Sequence, residues 1–169
     1  TEIYTLSLHD ALPISILWRI TGTLNMSEIQ ISTGSPVTTV AFLALLAGSF
    51  TKAGAFPFHT WVPDYAMNAP AVSSAYLPAS LDKLLGIYFL ARILNGMFIT
   101  GEWLTLLLLI LGVSTIITAV MMALIQHDYK KLLGYHAVSQ VGYMILGMSL
   151  GSVIGVAAGL FHMVNHALY

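Results

Sequence analysis

The chain of 169 residues has no cysteine, and only 8% of its residues are charged. Without cysteine, disulfides and thiolate metal sites are excluded, and cysteine usage leaves the redox compartment unread. Charged residues make up roughly 25% of an ordinary globular chain, so this one is too poor in charge to dress a soluble surface. A formal net charge of −1 supplies no basic footprint for nucleic acid. What is there is apolar: 57% of the residues are hydrophobic and the mean hydropathy is +0.85. That is the composition of an integral membrane protein, with room for about five spans of ~20 residues each.

The scarce charges are not at the edges. The stretch from Thr51 to Arg92 is as apolar as a membrane segment, yet it carries Lys52, His59, Asp64, Asp82 and Lys83 and is interrupted by Pro57, Pro63, Pro70 and Pro78. Hydrocarbon tolerates broken backbone only where protein or a water-lined cavity satisfies the freed groups. An ionisable side chain at that depth costs about 2.5–3.5 kcal/mol on insertion scales, so such residues mark ion or proton paths.

Residues 1–15 are set apart. Tyr4 to Ile14 reads as the translation of a common short-read sequencing adapter, and Thr1 to Ile3 continue it. The segment is expected to be foreign and to pack against nothing, with the native part, residues 16–169, cut at both ends. Ile16 to Ile20 reads as the tail of a helix, and Thr21 to Ser35 as a polar loop or short surface helix. Pro36 to Gly54 is the first full span, opened by Ser35-Pro36 and broken at Gly54 and Pro57. Residues 58 to 67 are expected to be a short half-helix or extended piece. Pro70 to Leu94 forms a second span, bent at Pro78. Trp103 to Gln126 is the cleanest, with Trp103 as an interfacial anchor. After a tight turn with Asp128 and Lys130 as an ion pair, Leu132 to Leu150 is a more polar and protein-facing span, and Gly151 begins a fifth. Lys130 and Lys131 favour the cytoplasmic side for that turn.

Each candidate has a plainer reading beside it. Lys52 could snorkel from a helix end, but the chain stays apolar beyond it and then breaks, which exposes carbonyls able to hold an ammonium. Lys83 has about a dozen apolar-rich residues on either side, too far to snorkel. Asp82 is adjacent, but neighbours on a helix point about 100° apart, so Asp82 should meet a charge on another helix. His162 and His166, four apart, share a helix face; the glutamate of the zinc peptidase motif H-E-x-x-H is missing, so a proton relay suits them better than a metal. Packing alone would also account for two histidines, and for His136 and His59.

At these residues the chain resembles the antiporter-like membrane subunits shared by respiratory complex I, multisubunit cation/proton antiporters and energy-converting membrane hydrogenases. The family pattern is a broken-helix lysine followed by F-P-F-H-x-W-(L/V)-P-D-A, and here Lys52 is followed by Phe56-Pro57-Phe58-His59-Thr60-Trp61-Val62-Pro63-Asp64. Further matches run in family order: Lys83 with Gly86, Tyr88 and Arg92; Asp128 with Lys130, Lys131 and Leu133; Ser139-Gln140-Val141-Gly142-Tyr143; and Phe161-His162 with His166-Ala167. The resemblance implies that Lys52 exchanges protons within the membrane, that Lys83 is the connecting lysine on the next helix, and that His162 and His166 are relay histidines. It also implies a glutamate partner for Lys52 from an upstream helix, absent here, and a lysine just beyond Tyr169. Pro78 stands where many complex I members have histidine, and Asp82-Lys83 is closer to hydrogenase-related members.

The expectation is an all-α polytopic transmembrane bundle with one broken helix, a fragment of a larger subunit in a prokaryotic inner membrane. Its function would be proton translocation along Lys52, Asp82, Lys83, His162 and His166, as a non-redox subunit of a redox-driven complex. The alternatives are a subunit of a sodium/proton antiporter and a membrane scaffold with no ion path. Partners would be other membrane subunits, the bilayer, and protons or sodium. No cofactor or metal site is expected.

Overall fold

The computed structural model describes residues 13–76 and 80–168. A first helix, α1, ends at residue 21 and seats Leu17 in the core. Tyr4, Leu8 and Leu12 lie outside the described residues, as does the bend expected at Pro78. Of the last three residues of the supposed adapter segment, Pro13 is buried while Ile14 and Ser15 are exposed. The loop that follows holds β1 (Ile31–Ser32), which pairs in parallel with β2 (Phe98–Ile99) in register Ile31↔Phe98. Two residues are too few to show a period-two pattern, so the sequence reads as loop there.

α2 spans Pro36–Ala53. Its start is a capping box: the Ser35 side chain accepts from the Thr38 amide while the Ser35 amide donates to Thr38 Oγ1, with Pro36 in the first turn. It ends where the sequence reading placed the break. Gly54 adopts the left-handed conformation with φ 74° and its amide donates to the Phe50 carbonyl. Lys52 lies in the last turn, a favourable place for a cation.

Residues 54–60 are irregular but anchored. The Phe56 amide donates to Thr115 Oγ1 on a neighbouring helix at 3.2 Å, and Trp61 Nε1 donates to the Thr51 carbonyl at 3.0 Å. α3 (Trp61–Asn68) then resumes. Pro63 is helical after all, because it falls among the first four residues, whose amides have no intrahelical partner. α4 is a single exposed stretch, Ala71–Tyr76, and α5 covers Asp82–Arg92, continued by a π-helical turn, Ile93–Met97. The described parts of the second span are therefore α4, which runs to Tyr76, and α5 with the residues from 80 that lead into it.

α6 (Glu102–Leu124), α7 (Tyr129–Ser149) and α8 (Val153–Leu168) follow in sequence and pack successively. Among the described residues α2 and α6 are long and apolar enough to cross a membrane by that test alone; α8 is apolar but shorter. α7 is long but more polar. It packs against α3, α6 and α8, which buries Ser139 and half-buries Gln140, whereas His136 and Tyr143 are exposed. Gly147 sits against Gly155 and Gly159, which lets the α7 and α8 backbones approach closely. One apolar core joins Phe42, Phe50, Ile87, Leu90, Leu108 and Ile145. On the outside, Leu106, Ile110, Val113, Ile117, Met121 and Leu124 expose one apolar stripe of α6, which suits hydrocarbon.

At the start of α7 the side chain of Asp128 caps the helix, accepting from the Lys131 amide at 2.8 Å. The Asp128–Lys130 ion pair expected from the sequence is not the arrangement found. Lys130 Nζ instead donates to the Ala69 carbonyl at 2.9 Å, at the end of α3. Lys131 reaches Asp64 at 4.0 Å. Both lysines thus tie the turn to α3, the helix that follows the break, Lys130 at its end and Lys131 at its first turn.

Candidate ion-translocation track

Two charged steps meet at the head of α5, where residues 80 and 81 make a π-helical turn. Asp82 and Lys83 leave it on different sides, as neighbours on a helix do. Asp82 Oδ1 pairs with Lys52 Nζ at 2.6 Å, joining α5 to the broken end of α2. The pair is asymmetric in setting: the Lys52 side chain is 52% exposed and that of Asp82 17%. The expectation that Asp82 meets a charge on another helix holds, and the cation it meets is Lys52.

Lys83 is 2% exposed and points the other way. Its ammonium Nζ lies 3.5 Å from Nε2 of His166 on α8. A charged lysine has three donors and no acceptor, so His166 Nε2 must accept in that state. After transfer the roles exchange: the neutral amine accepts from an Nε2–H. The pair can hold one proton at either end.

On α8 the His166 and His162 rings stack, with centroids 6.3 Å apart and planes at 9°. His162 Nε2 is 2.8 Å from Oε1 of Gln140 on α7, and Tyr143 meets the His162 ring edge to face at 6.2 Å. Gln140 Nε2 is in turn 3.4 Å from Nε2 of His136, one turn back on α7. His136 and His166 share the wall of a cavity of about 930 Å3 with Ser80, Tyr76 and Lys130.

Of the residues singled out in the sequence, Lys83, His162 and His166 thus form one polar run. Lys52 and Asp82 form a second group, joined to the first by the peptide bond between Asp82 and Lys83. His59 stays apart, its ring tilted against Phe56 and Tyr135, and its buried Nδ1 has no hydrogen-bond partner among the described residues. Sequence reasoning missed Gln140 as a contact of His162. The signal was present: a neutral amide on a helix read as protein-facing, where a polar group needs a partner. Thr115, which fastens the break to α6, had no such signal.

Comparison with known proteins identifies the family and the fold. The profile of the family described as NADH:quinone oxidoreductase/Mrp antiporter, TM, matches residues 8–169. The chain belongs to this family. It is an integral membrane polypeptide accordingly. It is 37% identical over 134 residues to F(420)H(2) dehydrogenase subunit L of Methanosarcina mazei, covering 78% of this chain and 20% of that one. It is 34% identical over 173 residues to a subunit of the Na(+)/H(+) antiporter of Alkalihalophilus pseudofirmus, covering 92% of this chain and 21% of the relative. The Mrp complex from Dietzia sp. DQ12-45-1b contains a chain of the same fold, with a TM-score of 0.88, 23% identity, and coverage of 98% of this chain and 31% of that one. The chain spans about a fifth of the length of the dehydrogenase and antiporter relatives.

Proposed function

We propose that this chain is part of an ion-translocating membrane subunit, and that protons pass along Lys52, Asp82, Lys83, His166 and His162. The observation that carries the reading is Lys83, wholly buried and facing the ring nitrogen of His166 at 3.5 Å. Burying an ammonium opposite an uncharged ring is costly, and a lysine spent on packing alone would be better replaced by an apolar side chain. Opposite a histidine, the same lysine can pass its proton and take it back.

The Lys52–Asp82 pair extends the path to the helix break. Movement of a proton onto Lys83 places a second cation beside Asp82, which weakens the hold of that carboxylate on Lys52. Separate subunits of a larger complex supply the driving reaction, which is redox chemistry in a dehydrogenase-type assembly. Sodium/proton exchange is the second reading, and the similarity to part of a Na(+)/H(+) antiporter favours it. A prokaryotic inner membrane is the setting that the archaeal and bacterial relatives suggest.

The test is made in the complete complex reconstituted into vesicles. Lys83→Met should abolish most proton movement while the complex still assembles. Lys83→Arg should rescue little, because arginine stays protonated. Proton movement that persists unchanged in assembled Lys83→Met would remove Lys83 from the path and favour a scaffold. Activity that instead follows the sodium gradient would favour exchange.

A further inference from the structure

Gln140 stands between two imidazoles on different helices. Its Oε1 is 2.8 Å from His162 Nε2 and its Nε2 is 3.4 Å from His136 Nε2. An amide oxygen only accepts and an amide nitrogen only donates. His162 therefore carries its hydrogen on Nε2, and neutral His136 must leave Nε2 bare and carry its hydrogen on Nδ1. One side chain dictates opposite tautomers to two rings. Turning the amide over would invert both together, since neither ring can change alone without setting donor against donor or acceptor against acceptor.

This has a consequence for the path, and it rests on the proton-track reading. With Nε2–H committed to an oxygen that cannot take the proton, neutral His162 has a single nitrogen, Nδ1, at which a proton can arrive and leave. We propose that Gln140 is a positioning residue that makes His162 a one-sided proton store on the track, and that the opposite tautomer of His136 is set by the same amide. No covalent change is involved. The proton bound at Nδ1 returns from Nδ1, and passage through the ring requires the amide to turn.

The surroundings fit a switch held by hydrogen bonds more than by charge. The titratable neighbours of His162 are Tyr143 on α7 and His166 on its own helix, with Lys83 behind it. Those sharing the cavity wall with His136 are Tyr76, Tyr129, Lys130 and His166. Among the described residues, these neighbours include no carboxylate. Gln140 therefore supplies the oxygen acceptor at His162.

Nitrogen-15 NMR of the purified complete complex, labelled at histidine and held at a pH where the rings are neutral, reads the tautomers directly. His136→Asn and His162→Asn provide the assignments. The wild-type complex should show His162 as the Nε2–H form and His136 as the Nδ1–H form. In Gln140→Glu a carboxylate accepts from both sides, so His136 should change to Nε2–H while His162 keeps its form. In Gln140→Met both rings should lose the imposed preference. Equal tautomers in the wild-type complex, or a His136 that ignores Gln140→Glu, would overturn the proposal. If Gln140→Met fails to assemble, the near-isosteric Gln140→Glu decides alone. The readout does not depend on transport, so a failure of the proton track, seen as unchanged pumping in Lys83→Met, remains distinguishable from a failure of this inference.

Discussion

At the scale of single residues, Asp82 and Lys83 do opposite things from adjacent positions. Asp82 is a partner for a lysine that is half in the open, and Lys83 is a buried amine facing a histidine. The Lys52–Asp82 contact is short, but half the Lys52 side chain is exposed in this chain, so solvent screening limits its worth to about 1 kcal/mol or less. The expected outcome of a double-mutant cycle with Lys52→Met and Asp82→Asn is therefore a coupling in stability of about 0.2–1 kcal/mol. Transport should fall far more than stability does in each single variant. A coupling of several kcal/mol, with transport untouched, would make the pair a structural fastener. Lys83 differs in kind, because removing its buried amino group relieves a burial penalty; Lys83→Met should leave thermal stability equal or slightly higher while transport is lost.

At the scale of elements, the break in α2 and the head of α5 are fitted to one another through a glycine. A Cβ built on Gly86 would lie 2.6 Å from the Ala53 amide nitrogen and 2.9 Å from its Cα, so the last turn of α2 rests on bare α5 backbone. Gly86→Ala must push the two helices apart, and overpacking of this sort costs typically 1–3 kcal/mol. The expected result, read by thermal unfolding in detergent, is destabilisation in that range, together with loss of the Lys52–Asp82 coupling in the double-mutant cycle above. An unchanged melting temperature would mean that the contact gives way freely. Gly54 has a separate reason to be glycine, its positive φ at the helix end. These two glycines show what a sequence reveals and what it hides. The break itself was legible, because a glycine and a proline closely following a lysine in an apolar run interrupt the helix and give the lysine carbonyls to meet. The spans at α6 and α7 were legible from length and polarity. Which helix Asp82 would face was not, since a partner across the bundle leaves no periodic trace. The parallel pairing of β1 with β2 was hidden for the same reason: it joins residues far apart in the chain, through backbone groups and the Thr33 hydroxyl, which donates to the Ile99 carbonyl. The caps were partly legible. Ser35-Pro36 signalled the start of α2, whereas Asp128 looked like an ion-pair residue and is a cap, a distinction that rests on side-chain direction.

At the scale of the whole molecule, the absence of cysteine turns topology into a measurable quantity. α6 has 23 residues, which at ~1.5 Å each is about 35 Å, enough to cross a hydrocarbon core of ~30 Å. Its ends must then lie on opposite sides of the membrane. Glu102 begins it and His127 sits in the turn after it, and both are exposed. Lys130 and Lys131 follow that turn at once, and cationic flanks stay on the cytoplasmic side. Because this chain has no cysteine of its own, Glu102→Cys and His127→Cys each introduce a single thiol into it. Labelling with a membrane-impermeant maleimide, followed by separation of the subunits, should mark His127→Cys from the cytoplasmic face alone and Glu102→Cys from the other face alone. Val113→Cys, midway along the apolar stripe, should resist the reagent from both faces until detergent is added. Reaction of both end positions from one face would mean that α6 does not cross, and the bundle built on it would have to be redrawn. An exchange of the two faces would keep the crossing and reverse the direction. α3, which Lys130 and Lys131 tether through Ala69 and Asp64, would then face the opposite compartment.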